Sequence, residues 1–175
     1  MATAGNNLSE YNKELIPDAS AMKFGIVVSE WNDKITNGLL EGATSTLLEN
    51  GCTKDNFIIE YVPGTFELSL GAQLLFESME IDAVICIGSV IQGETKHFDF
   101  VCEGATLGIK DVGLKYNKPA IFCVLTDMNE NQAIERSGGK HGNKGTEAAV
   151  SAIKMVALKQ RLFPKRDSMG FGHGK

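Results

Sequence analysis

The sequence predicts an α/β fold, a three-layer αβα sandwich around a central four-stranded parallel sheet. Three observations carry this expectation. Short β-branched and apolar runs alternate four times with segments of helical period. Those runs are apolar at nearly every position, as strands covered on both faces are. The 175 residues, 43% of them hydrophobic, suffice for one domain that buries roughly 70% of its unfolded surface and leave no room for a second.

The strand runs are 24–29, 57–62, 83–88 and 120–126. Between the first two, Leu39, Leu40, Ala43, Leu47 and Leu48 recur at helical spacing, with Thr36 as the N-cap and Gly51 where a C′ glycine belongs. Phe66, Leu70, Leu74 and Leu75 mark the second helix. Phe100, Ala105, Leu107, Ile109 and Leu114 mark the third, closed by Asn117-Lys118-Pro119. After the fourth strand come a short helix over 130–137, a glycine-rich loop over 138–145 and a longer helix over 146–162 that stops before Pro164. Repeated strand–helix units with right-handed crossovers give a doubly wound, flavodoxin-like arrangement. The 1–23 segment offers an added N-terminal strand. The chain thus divides into an N-terminal arm (1–21), one α/β domain that carries the chemistry (22–162) and a mobile C-terminal tail (163–175).

Composition excludes several classes of function. With 17 Lys and Arg against 22 Asp and Glu the net charge is −5, the wrong sign for a general nucleic-acid binder, which needs clustered cations. The basic group Lys159, Arg161, Lys165 and Arg166 follows a helix end, where cations complement the dipole. No apolar run approaches the roughly 20 residues that span a bilayer. The polar N-terminus has no basic start and apolar stretch of a secretory signal, so a cytoplasmic location is expected. Cys52, Cys86, Cys102 and Cys123 follow no zinc or redox spacing and read as reduced thiols.

In a doubly wound sheet the ligand sits at the carboxyl ends of the strands. After the first strand stands Trp31, the only tryptophan, either a ring-stacking group or a rim residue of the core. After the second, Val62-Pro63-Gly64-Thr65-Phe66-Glu67-Leu68 is a fixed turn into a helix. Glu67 there either accepts hydrogen bonds from ligand hydroxyls or complements the helix dipole. After the third, the 88–99 loop has the skeleton of a nucleotide P-loop, yet Glu94 replaces the lysine that should reach the phosphates, which excludes nucleoside triphosphate hydrolysis. The loop ends in His97, which is the best general acid/base of the three histidines, because His141 lies in the glycine loop and His173 in the tail. After the fourth, Arg136, Lys140 and Lys144 stand among four glycines, a pattern suited to gripping a small anion.

At these residues the sequence resembles the lumazine synthases over roughly residues 22–158. The matching elements are Trp31-Asn32 with Ile35-Thr36, the 62–68 turn, the 88–99 loop with Thr95-x-His97-Phe98-Asp99, Val124-Leu125-Thr126, and Gln132-Ala133-Ile134-Glu135-Arg136 through Gly142-Asn143-Lys144-Gly145. The resemblance implies a transferase that condenses 5-amino-6-(D-ribitylamino)uracil with 3,4-dihydroxy-2-butanone 4-phosphate. The products are 6,7-dimethyl-8-ribityllumazine, phosphate and water, in the penultimate step of riboflavin biosynthesis.

Carried over by position, the resemblance implies that Trp31 stacks on the pyrimidine. Thr65, Phe66 and Glu67 hold the ribityl chain and ring edge. Ser89, Val90 and Ile91 line the ring pocket, which Phe122 completes. Glu94 and Thr95 contact the butanone phosphate, His97 transfers protons, and Arg136, assisted by Lys144, clamps the phosphate. Glu147 is the expected carboxylate partner of His97. No metal and no organic cofactor are implied. The family forms homopentamers with sites shared between neighbours, in some members twelve pentamers closed into an icosahedral shell, and riboflavin synthase is an implied partner. The short 136–145 stretch resembles the shell-forming members. Two positions depart from the pattern: Ser69 stands where Pro is common, and Glu94 where small residues are frequent. A flavin or lumazine binder and a plain container protein are the rival classes. The retained His97, Arg136 and Lys144 argue against both.

Overall fold

The computed structural model of the protein describes residues 7–164. Four parallel strands, β1 (Phe24–Ser29), β2 (Phe57–Val62), β3 (Ala83–Ile91) and β4 (Ala120–Asp127), form one sheet in the order β2-β1-β3-β4. Helices α1 (Asp33–Glu49) and α5 (Lys144–Leu162) cover one face, and α2 (Leu68–Ser78) and α3 (His97–Tyr116) the other. The short α4 (Glu130–Arg136) follows β4. The predicted three-layer sandwich is therefore the observed one.

The two faces follow from the period of two along a strand. Ile26, Val28, Ile85 and Ile87 point toward α1 and α5, while Val27, Val84 and Cys86 point toward α2 and α3. All seven are fully buried, and each large aliphatic contributes about 1.5–3 kcal/mol of burial. Only an inner strand is buried on both sides, which is why β1 is buried throughout while the edge strand β2 keeps Glu60 and Tyr61 exposed. Helices α1 and α5 approach closely at Gly145, where a Cβ would lie 1.9 Å from the Leu39 carbonyl oxygen. Because β2 and β3 lie on opposite sides of β1, the chain reverses direction across the sheet between β1 and β3. A crevice at the carboxyl ends of those strands is the consequence.

Several boundaries and packing stripes differ from the sequence reading. β3 continues to Ile91 because Ser89, Val90 and Ile91 pair with Leu125, Thr126 and Asp127 of β4. Helix α1 begins one turn early with Asn32 as its N-cap. Thr36 is buried inside the first turn, its hydroxyl facing the Asp33 carbonyl. Gly51 follows the helix end at φ 105°, as expected of a C′ glycine. The glycine-rich stretch holds a small antiparallel hairpin, β5 (Ser137–Gly139) and β6 (Gly142–Asn143), instead of a plain loop. The inner face of α2 is Leu68, Ala72, Leu75 and Phe76, and that of α3 is Ala105, Ile109 and Val112. Leu70, Leu74, Phe100, Leu107 and Leu114, whose spacing marks the second and third helices, are exposed in the single chain. The proposed N-terminal strand is absent from the described part of its segment: residues 7–23 carry a single 3-10 turn, Lys13–Leu15, and no strand. The tail expected to be mobile lies, from residue 165 onward, outside the described residues. No helix among the described residues is long and apolar enough to cross a membrane.

Candidate active site

The crevice holds a cavity of 730 Å³ whose walls come from the ends of β1, β2 and β3 and the start of α3. Trp31 stands at its β1 wall with 72% of its surface exposed, so it is not a rim residue of the core. The turn that presents it depends on Asn32, whose backbone is left-handed at φ 61° and whose side-chain amide donates to the Ser89 carbonyl at 2.8 Å. Asparagine tolerates that conformation better than most residues. The β2 wall is the turn into α2. Thr65 is buried there, and its hydroxyl lies 2.8 Å from where a Cβ on Gly88 would stand, so only glycine fits at that point of β3. Phe66 is 57% exposed and rests on α3, where a Cβ on Gly104 would come within 2.6 Å of its ring. Glu67 also lines the cavity, its Oε2 2.9 Å from the position of a Cβ on Gly64.

Ser89, Val90 and Ile91 form the β3 wall. The Ser89 hydroxyl is buried without a hydrogen-bond partner, an open donor and acceptor at the cavity wall. Thr95, His97 and Phe100 line the cavity on the side of α3. His97 is the first residue of α3, and its backbone N–H donates to Thr95 Oγ1 at 3.4 Å. The first turn of a 20-residue helix therefore begins beside the imidazole, with its Asp99 and Phe100 N–H groups donating to the Lys96 carbonyl. The cavity thus joins three exposed aromatic rings, Trp31, Phe66 and Phe100, with a carboxylate, an unpaired hydroxyl and an imidazole. Glu94 is exposed and does not line it.

The remaining sequence candidates lie elsewhere in the chain. Phe122 lines a second cavity of 600 Å³ with residues of α3 and α5. Arg136 closes α4, where its Nη1 donates to the Gln132 carbonyl at 2.8 Å and lies 3.9 Å from Asp127 Oδ1. Lys144 Nζ donates to Glu147 Oε1 at 2.7 Å. Since α5 and α3 cover opposite faces of the sheet, the carboxylate expected beside His97 instead meets Lys144 within the chain. Burial holds the Asp127 carboxyl above its ordinary range, a rise that the Arg136 guanidinium opposes. Burial also pushes the Cys123 thiol up to about 12, so that inner thiol is protonated and inert. Among the described residues no group of three or more His, Cys, Asp and Glu is placed to hold a metal ion.

Residues 21–160 match the family model for 6,7-dimethyl-8-ribityllumazine synthase. The chain belongs to that family. A 6,7-dimethyl-8-ribityllumazine synthase of Cytophaga hutchinsonii is 59% identical over 157 residues, covering 90% of this chain and 98% of the relative. The relative from Christiangramia forsetii is 58% identical over 161 residues, covering 91% of this chain and 96% of its own length. That from Porphyromonas gingivalis is 52% identical over 160 residues, with 91% and 99% covered. As a lumazine synthase family member the chain is a transferase of riboflavin biosynthesis.

Sequence reasoning gave no role to Asn32, Gln132 or Asp127. Asn32 had a readable signal, an asparagine directly before a helical segment. Gln132 stands within a matched motif without a role of its own, and Asp127 had no signal, because its contact with Arg136 becomes visible only once β4 and α4 are folded against each other.

Proposed function

We propose that the chain condenses 5-amino-6-(D-ribitylamino)uracil with 3,4-dihydroxy-2-butanone 4-phosphate, releasing 6,7-dimethyl-8-ribityllumazine, phosphate and water as the penultimate step of riboflavin biosynthesis. The observation that carries this reading is the single cavity holding Trp31, Phe66, Glu67 and His97. Two aromatic rings suit a flat heterocycle, and Glu67 with Thr65 suits a polyhydroxylated chain. Imine formation, phosphate loss, ring closure and dehydration each move protons near neutral pH, work that one imidazole performs in both directions. Holding two substrates in register supplies much of the remaining rate.

Phosphate departure needs fixed positive charge where negative charge accumulates. Arg136 and Lys144 supply it, and Thr95 at the loop end adds a hydroxyl. Because neither cation nor Phe122 lines the His97 cavity of its own chain, the site is completed by a second copy. The exposed apolar residues Leu70, Leu74, Phe100, Leu107 and Leu114 supply the contact surface that such assembly buries. We take the assembly to be a homopentamer built from the 22–162 domain, with twelve pentamers closing into an icosahedral shell, located in the cytoplasm and handing its product to riboflavin synthase. No metal or organic cofactor takes part. Mixing the purified protein with the two substrates and following lumazine fluorescence tests the reading. A rate well above the uncatalysed background is expected, and ring binding without any rate above background would overturn it.

A further inference from the structure

Asp127 is the last residue of β4 and is 8% exposed, with Oδ2 buried and without a hydrogen-bond partner. Its Oδ1 faces Arg136 Nη1 at 3.9 Å, too far for a hydrogen bond and near enough for charge attraction. The same Nη1 is held at 2.8 Å by the Gln132 carbonyl. The guanidinium is therefore anchored by its own helix, and the carboxylate acts on it through charge alone. A carboxylate taken out of water without hydrogen bonds to compensate it is costly, and groups left in that state concentrate at functional sites. The position fits such a role. Asp127 pairs with Ile91 of the cavity wall, and its carbonyl accepts from Gln92 N–H at 2.9 Å, in the loop that leads to Thr95 and His97.

We propose that Asp127 is a positioning residue of the anion site: its carboxylate offsets part of the Arg136 charge, so that the guanidinium engages a phosphate group firmly enough to orient it and weakly enough to release it as product. This rests on the reading of Arg136 as the phosphate contact. An arginine without a counter-ion attracts a multiply charged anion more strongly, which slows its release. A buried acid near 4 Å from the guanidinium is close enough to repel an anion on its far side as well.

The test is titration of inorganic phosphate, followed by phosphorus NMR or calorimetry, into the full-length protein and its Asp127→Asn, Arg136→Ala and doubly substituted forms. Asp127→Asn keeps the side-chain shape and is expected to bind phosphate about tenfold more tightly. Its kcat and its KM for the phosphate-bearing substrate should fall together, because release slows. Damage to the fold would weaken binding, so a gain in affinity cannot come from misfolding. Asp127→Ser provides a second variant with the same expected sign. In the Arg136→Ala background the gain should vanish. Unchanged or weaker phosphate binding in Asp127→Asn, with Arg136→Ala still weakening it, overturns the role of Asp127 and leaves the Arg136 reading standing. A gain that persists without Arg136 also overturns it. Phosphate binding unaffected by Arg136→Ala removes the clamp reading, and this proposal with it.

Discussion

The Asn32 side-chain amide donates to the Ser89 carbonyl at 2.8 Å and so ties the turn after β1 to β3 at the cavity wall. That bond fixes the turn carrying Trp31, and the left-handed backbone of Asn32, at φ 61°, aims it. Asn32→Ala removes the bond and forces alanine into a left-handed conformation, so a loss of about 2–3 kcal/mol in urea unfolding is expected. Asn32→Gly relaxes the backbone and loses only the bond, at about 1 kcal/mol. Trp31 is the only indole, so its emission reports the loosened turn directly. Unaltered emission and stability in both variants would show that the tie has no part in holding the site.

His97 opens α3 and lines the cavity without contributing to either hydrophobic cluster. His97→Ala is expected to slow lumazine formation by about a hundredfold or more, while quenching of Trp31 by a lumazine-like ligand stays close to wild type. A turnover rate equal to that of wild type would take His97 out of the chemistry.

The architecture was legible in the residues because β1 and β3, apolar at nearly every position, require cover on both faces, and the strand–helix alternation supplies it. The cavity lining was legible for a related reason: Trp31 and Thr65 to Glu67 follow strands directly, whereas Ser89 to Ile91 are the end of β3 itself and His97 opens the helix after it. The outward stripes of α2 and α3 were not legible. Leu70, Leu107 and Leu114 satisfy helical spacing whether they face the sheet or a second chain, and periodicity carries no information about which. The pairing of Arg136 with Asp127 depends on how α4 turns back on β4, and nothing local to either residue announces it.

Close contact between α1 and α5 rests on Gly145, where a Cβ would meet the Leu39 carbonyl oxygen at 1.9 Å. A backbone oxygen cannot swing aside as a side chain can, so Gly145→Ala is expected to cost about 2–3 kcal/mol or more in unfolding free energy. Gly93, in the loop before His97, has nothing within 4 Å of its virtual Cβ. Gly93→Ala should leave stability within about 0.5 kcal/mol of wild type. Equal stability of the two variants would contradict the packing described here.

Burial raises the folded Asp127 carboxyl above its ordinary 3.8, so the native state binds that proton more readily than the unfolded chain does. Its contribution is therefore unfavourable at neutral pH, and improves as pH falls through the raised value toward 3.8. Asp127→Asn should be more stable than wild type near neutrality, with the difference closing on acidification through that window. Urea midpoints of both proteins at a series of pH values check the sign. A variant less stable at neutral pH, with a gap indifferent to acid, would mean that attraction to Arg136 outweighs the burial cost.

A catalytic centre divided between two copies of the chain is the central claim, and mixing inactive variants tests it most directly. His97→Ala and Arg136→Ala proteins, each strongly impaired alone, are unfolded together, reassembled and assayed for lumazine formation. Where an intact His97 cavity meets an intact Arg136 of a neighbour, a working site returns, and random mixing should restore about a quarter of the wild-type rate. A mixture as inactive as its separate components, although reassembled to wild-type particle size, would contradict the claim and place the whole site within one chain.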